Sequence, residues 1–133
     1  MSKTILVTGA SKGFGRAWTE AFLEKGYNVA ATARNLDTLN DLKEKYGKSI
    51  LPLTLDVNKR DESLEVIQKV KEHFGTIDVL INNAGYALTG AVEEASEQEA
   101  REQFETNFFG TLWLTQAVLP IMREQKGEHI IQI

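Results

Sequence analysis

An apolar run, Thr4-Ile-Leu-Val-Thr8, stops at Gly9, and two more glycines, Gly13 and Gly15, follow closely. Beyond them Phe14, Ala17, Trp18, Ala21 and Phe22 recur at helical spacing, which predicts a helix with one apolar face, closed by Gly26. Few folds accept a strand, a glycine loop and a helix in immediate succession. The first run is apolar enough to be buried on both faces, as strands of parallel sheets are. Glycines there let the chain turn sharply, let a pyrophosphate approach the backbone, and let the helix pack tightly on its strand. The helix start then points free N–H groups and a positive dipole end at that anion. No Gly-Lys-Ser/Thr follows, so the loop is not that of a nucleoside triphosphatase.

The rest of the chain repeats the alternation. A second strand is predicted over Asn28 to Ala33, then a helix marked by Leu36, Leu39, Leu42 and Tyr46 and stopped by Gly47. A third strand spans Ile50 to Val57. Its helix runs from about Asp61 to Phe74, with Leu64, Ile67, Val70 and Phe74 facing inward. Strand four is Ile77 to Asn82. Ser96 and Glu99 form a capping box for a long helix reaching about Gln125, with a kink or break expected at Pro120. His129 to Ile133 reads as a fifth strand. Strands alternating with helices predict an α/β fold, a doubly wound parallel sheet of about five strands with helices on both faces. The 133 residues suit one domain, 1–133. Because the chain ends inside strand five, the domain reads as truncated at its C-terminus. That apolar strand would be an association hazard at a sheet border.

Composition narrows the partners. A net charge of −4 gives no global attraction to nucleic acid or anionic membrane, so a phosphate must be captured locally. There is no cysteine, which removes disulfides and thiolate metal sites and suits the cytoplasm. No stretch approaches the roughly 20 apolar residues of a membrane span. His73 and His129 lack metal-like spacing, and no metal site is expected. The acidic group Glu93, Glu94, Glu97 and Glu99 reads as a solvated helix start.

Four motifs occur in order along the chain: Thr8-Gly-Ala-Ser-Lys-Gly-Phe-Gly15, Leu55-Asp-Val57, Asn82-Asn-Ala-Gly85, and Asn107 in Asn-Phe-Phe-Gly110. Together they resemble the short-chain dehydrogenase/reductase family, whose glycine motif is Thr-Gly-x-x-x-Gly-x-Gly. The resemblance implies a Rossmann-type fold and hydride transfer between a nicotinamide dinucleotide and a small carbonyl or alcohol substrate. It places Gly9, Gly13, Phe14 and Gly15 at the phosphates. Asp56 and the Val57 backbone fall at the adenine, and Asn83, Ala84 and Gly85 at the ribose beside the nicotinamide. Asn107 takes the position of a proton-relay residue.

Cofactor preference is read from charge. An acid after strand two would hold the ribose 2′-OH of NAD, whereas an arginine accommodates the 2′-phosphate of NADP. Here strand two ends Ala31-Thr-Ala-Arg34, and Lys12 adds a second cation in the glycine loop. Arg34 can fork onto a phosphate with Lys12 as a point charge beside it and the Ser11 hydroxyl as a further donor, so NADP(H) is expected over NAD(H).

The resemblance also implies a catalytic serine after strand five and a later Tyr-x-x-x-Lys, where the lysine lowers a tyrosine pKa that is ordinarily about 10. Neither motif is present. Tyr27 and Tyr46 fall at helix ends, and Tyr86 borders the expected cleft but has no lysine four residues on. Residues 1–133 alone are therefore expected to be inactive. The second reading is a non-catalytic nucleotide-binding half-domain that folds and associates with another chain. A homo-oligomer is expected through the long helix, with Phe109 and Trp113, or through the last strand.

Overall fold

The computed structural model describes residues 2–127 and 129–133, and among these the chain forms a five-stranded sheet in the order β3-β2-β1-β4-β5. The strands are β1 (Thr4–Val7), β2 (Asn28–Ala33), β3 (Ile50–Thr54), β4 (Val79–Asn82) and β5 (His129–Gln132), and every pairing is parallel. The helices are α1 (Gly13–Glu24), α2 (Asn40–Tyr46), α3 (Arg60–Phe74), α4 (Glu97–Phe104) and α5 (Thr111–Gln125). Two apolar clusters divide the side chains of the pleat. Leu6, Ala30 and Leu80 pack with Val66, Val70, Leu114 and Val118 of α3 and α5. Ile5, Val7, Val29 and Ile81 pack with Leu23 of α1 and Leu42 of α2. Helices thus cover both faces, and the order of connection reverses at β1. That reversal opens a crevice at the carboxyl ends of β1 and β4. No helix of the described residues is long and apolar enough to cross a membrane.

The buried face of α1 is rotated from the expected one. Helix α1 turns Gly15, Thr19 and Leu23 inward, while Trp18 and Phe22 are half-buried and Phe14 is 71% exposed. Two of the three inward residues, Gly15 and Thr19, are small. The Thr19 hydroxyl is satisfied by donating to the Gly15 carbonyl at 2.7 Å, so a threonine costs little there. Helix α3 buries Ile67 and Val70 and packs Phe74 against the core as expected, adds Ser63 and Val66 to that face, and leaves only Leu64 of the expected set 51% exposed.

Strand β3 ends at Thr54 rather than Val57, because the Asp56 carboxylate accepts from the Asn58 amide at 3.0 Å and bends the chain. Beyond the strand Leu55 still donates to the Ala33 carbonyl at 3.1 Å, and Leu55 and Val57 stay buried.

The capping box of α4 forms as expected, with Ser96 accepting from the Glu99 amide and Glu99 accepting from the Ser96 amide, each at 3.1 Å. Those bonds hold the Glu99 carboxyl below its ordinary pKa. Pro120 does not break its helix, since α5 continues through it. Pro120 and Gln116 are both exposed, so the carbonyl deprived of its partner can turn to water. The irregularity lies earlier, in a π-helical turn over Glu105–Gly110. Such turns re-aim side chains at functional positions.

Candidate functional site

Four segments converge on one cleft of about 540 Å³ at the carboxyl ends of the strands. The glycine loop contributes Gly9, Ser11, Lys12 and Gly13, and the segment after β2 contributes Arg34, Asn35 and Thr38. The turn after β3 adds Leu55 to Asn58, and the segment after β4 adds Asn83 to Tyr86. Thr106, on the π-helical turn, completes the wall.

The glycine loop shows why its residue types belong there. Gly9 adopts φ +64°, a left-handed conformation, and a Cβ on it would stand 3.1 Å from Asn83 Nδ2. Gly15 has a different role. A Cβ there would lie 2.1 Å from the Gly9 carbonyl oxygen and 2.6 Å from Asn83 Nδ2, so only glycine lets α1 start this close to β4. Gly15 packs beneath the cleft rather than lining it. Phe14 also stays outside, stacked on Trp18 at 5.6 Å.

The start of α1 carries no side-chain cap at Lys12 and no acidic residue in its first turn. Its N–H groups and positive dipole end therefore have no competing partner within the helix. Among the described residues, neither Lys12 nor Arg34 takes part in an ion pair, whereas Arg16 pairs with Glu20 and Asp41. Two uncommitted cations thus share one cavity with an uncapped helix N-terminus.

Thr8, the threonine of the glycine motif, stitches the two sides together. Its hydroxyl accepts from the Asn83 and Ala84 amides, each at 2.9 Å, and donates to the Ile81 carbonyl at 3.4 Å. The Asn83 side chain returns two bonds, donating to the carbonyls of Thr8 and Gly9 at 3.2 Å each. The signal was available, because the threonine directly precedes Gly9 in the glycine motif.

Asn107 does not line the cleft. Its Oδ1 accepts from the Tyr86 amide at 3.0 Å and its Nδ2 donates to the Tyr86 carbonyl at 2.6 Å. Both ends of the amide are occupied, so the side chain holds the Tyr86 backbone in place. Gln103 adds a second clasp by accepting from the Leu88 amide. Of the three tyrosines, Tyr86 alone borders the cleft. The Tyr46 hydroxyl donates to the Glu24 carboxylate, which pushes its pKa up, the wrong direction for an acid/base group near neutrality. Phe108, Phe109 and Trp113 form a partly exposed stack, with ring centroids 5.1 and 5.7 Å apart and Arg60 over the Trp113 ring.

The sequence matches the short chain dehydrogenase profile over residues 3–133. The chain belongs to that family. Oxidoreductase BOA17 of Botryotinia fuckeliana is 44% identical to it over the whole chain and 49% of the relative. The NADP-dependent 3-hydroxy acid dehydrogenase YdfG of Salmonella typhi is 39% identical, over 97% of this chain and 52% of the relative. Among solved structures, the closed form of a serine dehydrogenase complexed with NADP+ superposes with a TM-score of 0.89 at 37% identity. It covers 96% of this chain and 52% of that one. This family member spans about half the length of the curated relatives it matches.

Proposed function

We propose that residues 1–133 form one domain that binds NADP(H) in preference to NAD(H), as the coenzyme-binding part of a cytoplasmic oxidoreductase. The observation that carries this reading is the meeting, in one cleft, of an uncapped α1 N-terminus with the unpaired Lys12 and Arg34. An anionic group fits that donor set. The NADP dependence of YdfG and the NADP+ in the serine dehydrogenase support the same assignment.

In this reading Gly9 and Gly13 bring backbone donors to the diphosphate, while Lys12, Arg34 and the Ser11 hydroxyl hold the 2′-phosphate. Asp56 keeps one carboxylate oxygen on the Asn58 amide and offers the other to the adenine amine. Asn83, Ala84 and Gly85 line the ribose beside the nicotinamide. Gly15 sets the closeness of the helix, and Phe14 acts through its backbone alone. The bound coenzyme would supply hydride transfer to or from a carbonyl or alcohol substrate in the whole protein. Asn107 serves by positioning Tyr86 through its side chain.

Arg34→Asp tests the assignment. Reversing that charge removes a charge-assisted contact and adds repulsion, so NADPH affinity should fall on the order of a hundredfold. NADH affinity should hold or rise, as followed by coenzyme fluorescence titration. Equal changes for both coenzymes would contradict the 2′-phosphate assignment. The same 133-residue sample should not oxidise NADPH with carbonyl substrates, since Tyr86 lacks a lysine partner to lower its pKa.

A further inference from the structure

Arg16 does not line the cleft and has no part in the proposed coenzyme contacts. Its Nη1 donates to the Thr38 carbonyl at 3.0 Å, its Nη2 pairs with the Asp41 carboxylate, and its Nε lies 3.4 Å from Glu20 Oε1. The Arg16 side chain is 26% exposed, while its acidic partners Glu20 and Asp41 are 45% and 65% exposed. Arg16 therefore ties α1, just behind the glycine loop, to the segment that joins β2 to α2.

That segment carries Arg34, Asn35 and Thr38 into the cleft wall. Its own bonds shape it locally. Asn35 Oδ1 accepts from the Asp37 amide at 3.0 Å, and the Thr38 hydroxyl donates to the Asn35 carbonyl at 2.6 Å. Neither bond sets the distance between the segment and the glycine loop. Among the described residues, the side-chain hydrogen bonds joining residues 34–41 to α1 are the two from Arg16.

We infer that Arg16 is a positioning residue for coenzyme selectivity: it holds the turn after β2 where Arg34 and Lys12 act on one phosphate. This rests on the proposed 2′-phosphate site. Arginine suits the task because its planar fork satisfies several acceptors in fixed directions, whereas a lysine ammonium is a single point of charge. The hydrogen bond from the Arg16 guanidinium also holds the Asp41 carboxyl below its ordinary pKa, which keeps it a carboxylate at neutral pH.

The test compares NADPH and NADH dissociation constants for the wild type, Arg16→Ala, Arg16→Lys and Asp41→Asn. Loosening a supporting contact should weaken NADPH binding about tenfold in Arg16→Ala and leave NADH within about threefold. Arg16→Lys should fall between the wild type and Arg16→Ala. Asp41→Asn separates positioning from direct contact. If Arg16 itself bound the phosphate, freeing it from Asp41 would tighten NADPH binding, whereas a positioning role predicts weaker binding. Hydrogen exchange at the Asp37 and Thr38 amides should quicken in Arg16→Ala, with thermal stability nearly unchanged because partly exposed ion pairs contribute little.

Parallel losses for NADPH and NADH, tighter NADPH binding in Asp41→Asn, or unchanged exchange at those amides would each overturn the inference. A wild type that binds neither coenzyme removes the proposed function, and the selectivity role falls with it.

Discussion

Gly15→Ala is expected to destabilise the fold by about 2–4 kcal/mol and to abolish measurable coenzyme binding. The added methyl carbon would stand 2.1 Å from the Gly9 carbonyl oxygen, 2.9 Å from the Gly9 carbonyl carbon and 2.6 Å from Asn83 Nδ2. Two of those atoms are backbone and cannot rotate away. Helix α1 must retreat, and its N-terminal amides retreat with it from the place where a phosphate would sit. Alanine's better helix propensity opposes this, but it is worth only about 1 kcal/mol at a helical position. Sterics should win. Urea denaturation followed by far-UV circular dichroism checks the stability, and coenzyme titration at low temperature checks the binding. An unchanged midpoint would mean that α1 does not approach β4 as closely as described.

Thr8→Val should cost about 2–4 kcal/mol, because valine keeps the shape but removes the hydroxyl that serves two amides. Thr8 is 1% exposed, and its Oγ1 accepts from both Asn83 and Ala84 at 2.9 Å. Valine would strand both donors at once. Part of the penalty is relieved because Asn83 and Ala84 are half-buried rather than buried, so water can reach the vacated side. Binding should suffer as well, since the segment after β4 would lose its register against the glycine loop. Thr8→Ser is the matching control, because it keeps the oxygen and deletes only a methyl group. Equal destabilisation by valine and serine would locate the cost in packing and sink the hydrogen-bond account.

Where sequence reading succeeded, short-range chemistry decided the outcome. Strand β2 runs from Asn28 to Ala33 as expected, because an apolar, β-compatible run is bounded by turn residues on both sides. The capping box at Ser96 and Glu99 is local by construction. The segments holding Gly9, Lys12, Arg34, Asp56 and Asn83 meet at one cleft because parallel strands deliver their carboxyl ends to one side of the sheet.

The misses share a cause: tertiary contacts overrode the local pattern. Hydrophobicity alone made Phe14, Ala17 and Ala21 look like the buried stripe of α1. The close approach at Gly15 instead turns Thr19 and Leu23 to the sheet. Leu64 looked inward by spacing, yet its neighbour Ser63 is buried in its place. The hydrogen bonds of Asn107 were likewise not legible in the sequence. Periodicity carries no sign of a π-helical turn, and that turn places both ends of its amide on Tyr86. Arg16 was invisible for a similar reason, since its partners Thr38 and Asp41 lie on a different element.

The proposed site for a 2′-phosphorylated dinucleotide is the uncapped start of α1 with Lys12 and Arg34. The most direct measurement is calorimetric titration of the folded chain with NADPH and, separately, with NADH. One saturable site, tighter for NADPH and weakening as salt is raised, is the predicted result. Heat no different from dilution for both coenzymes, in a sample whose circular dichroism shows the α/β fold intact, would contradict it.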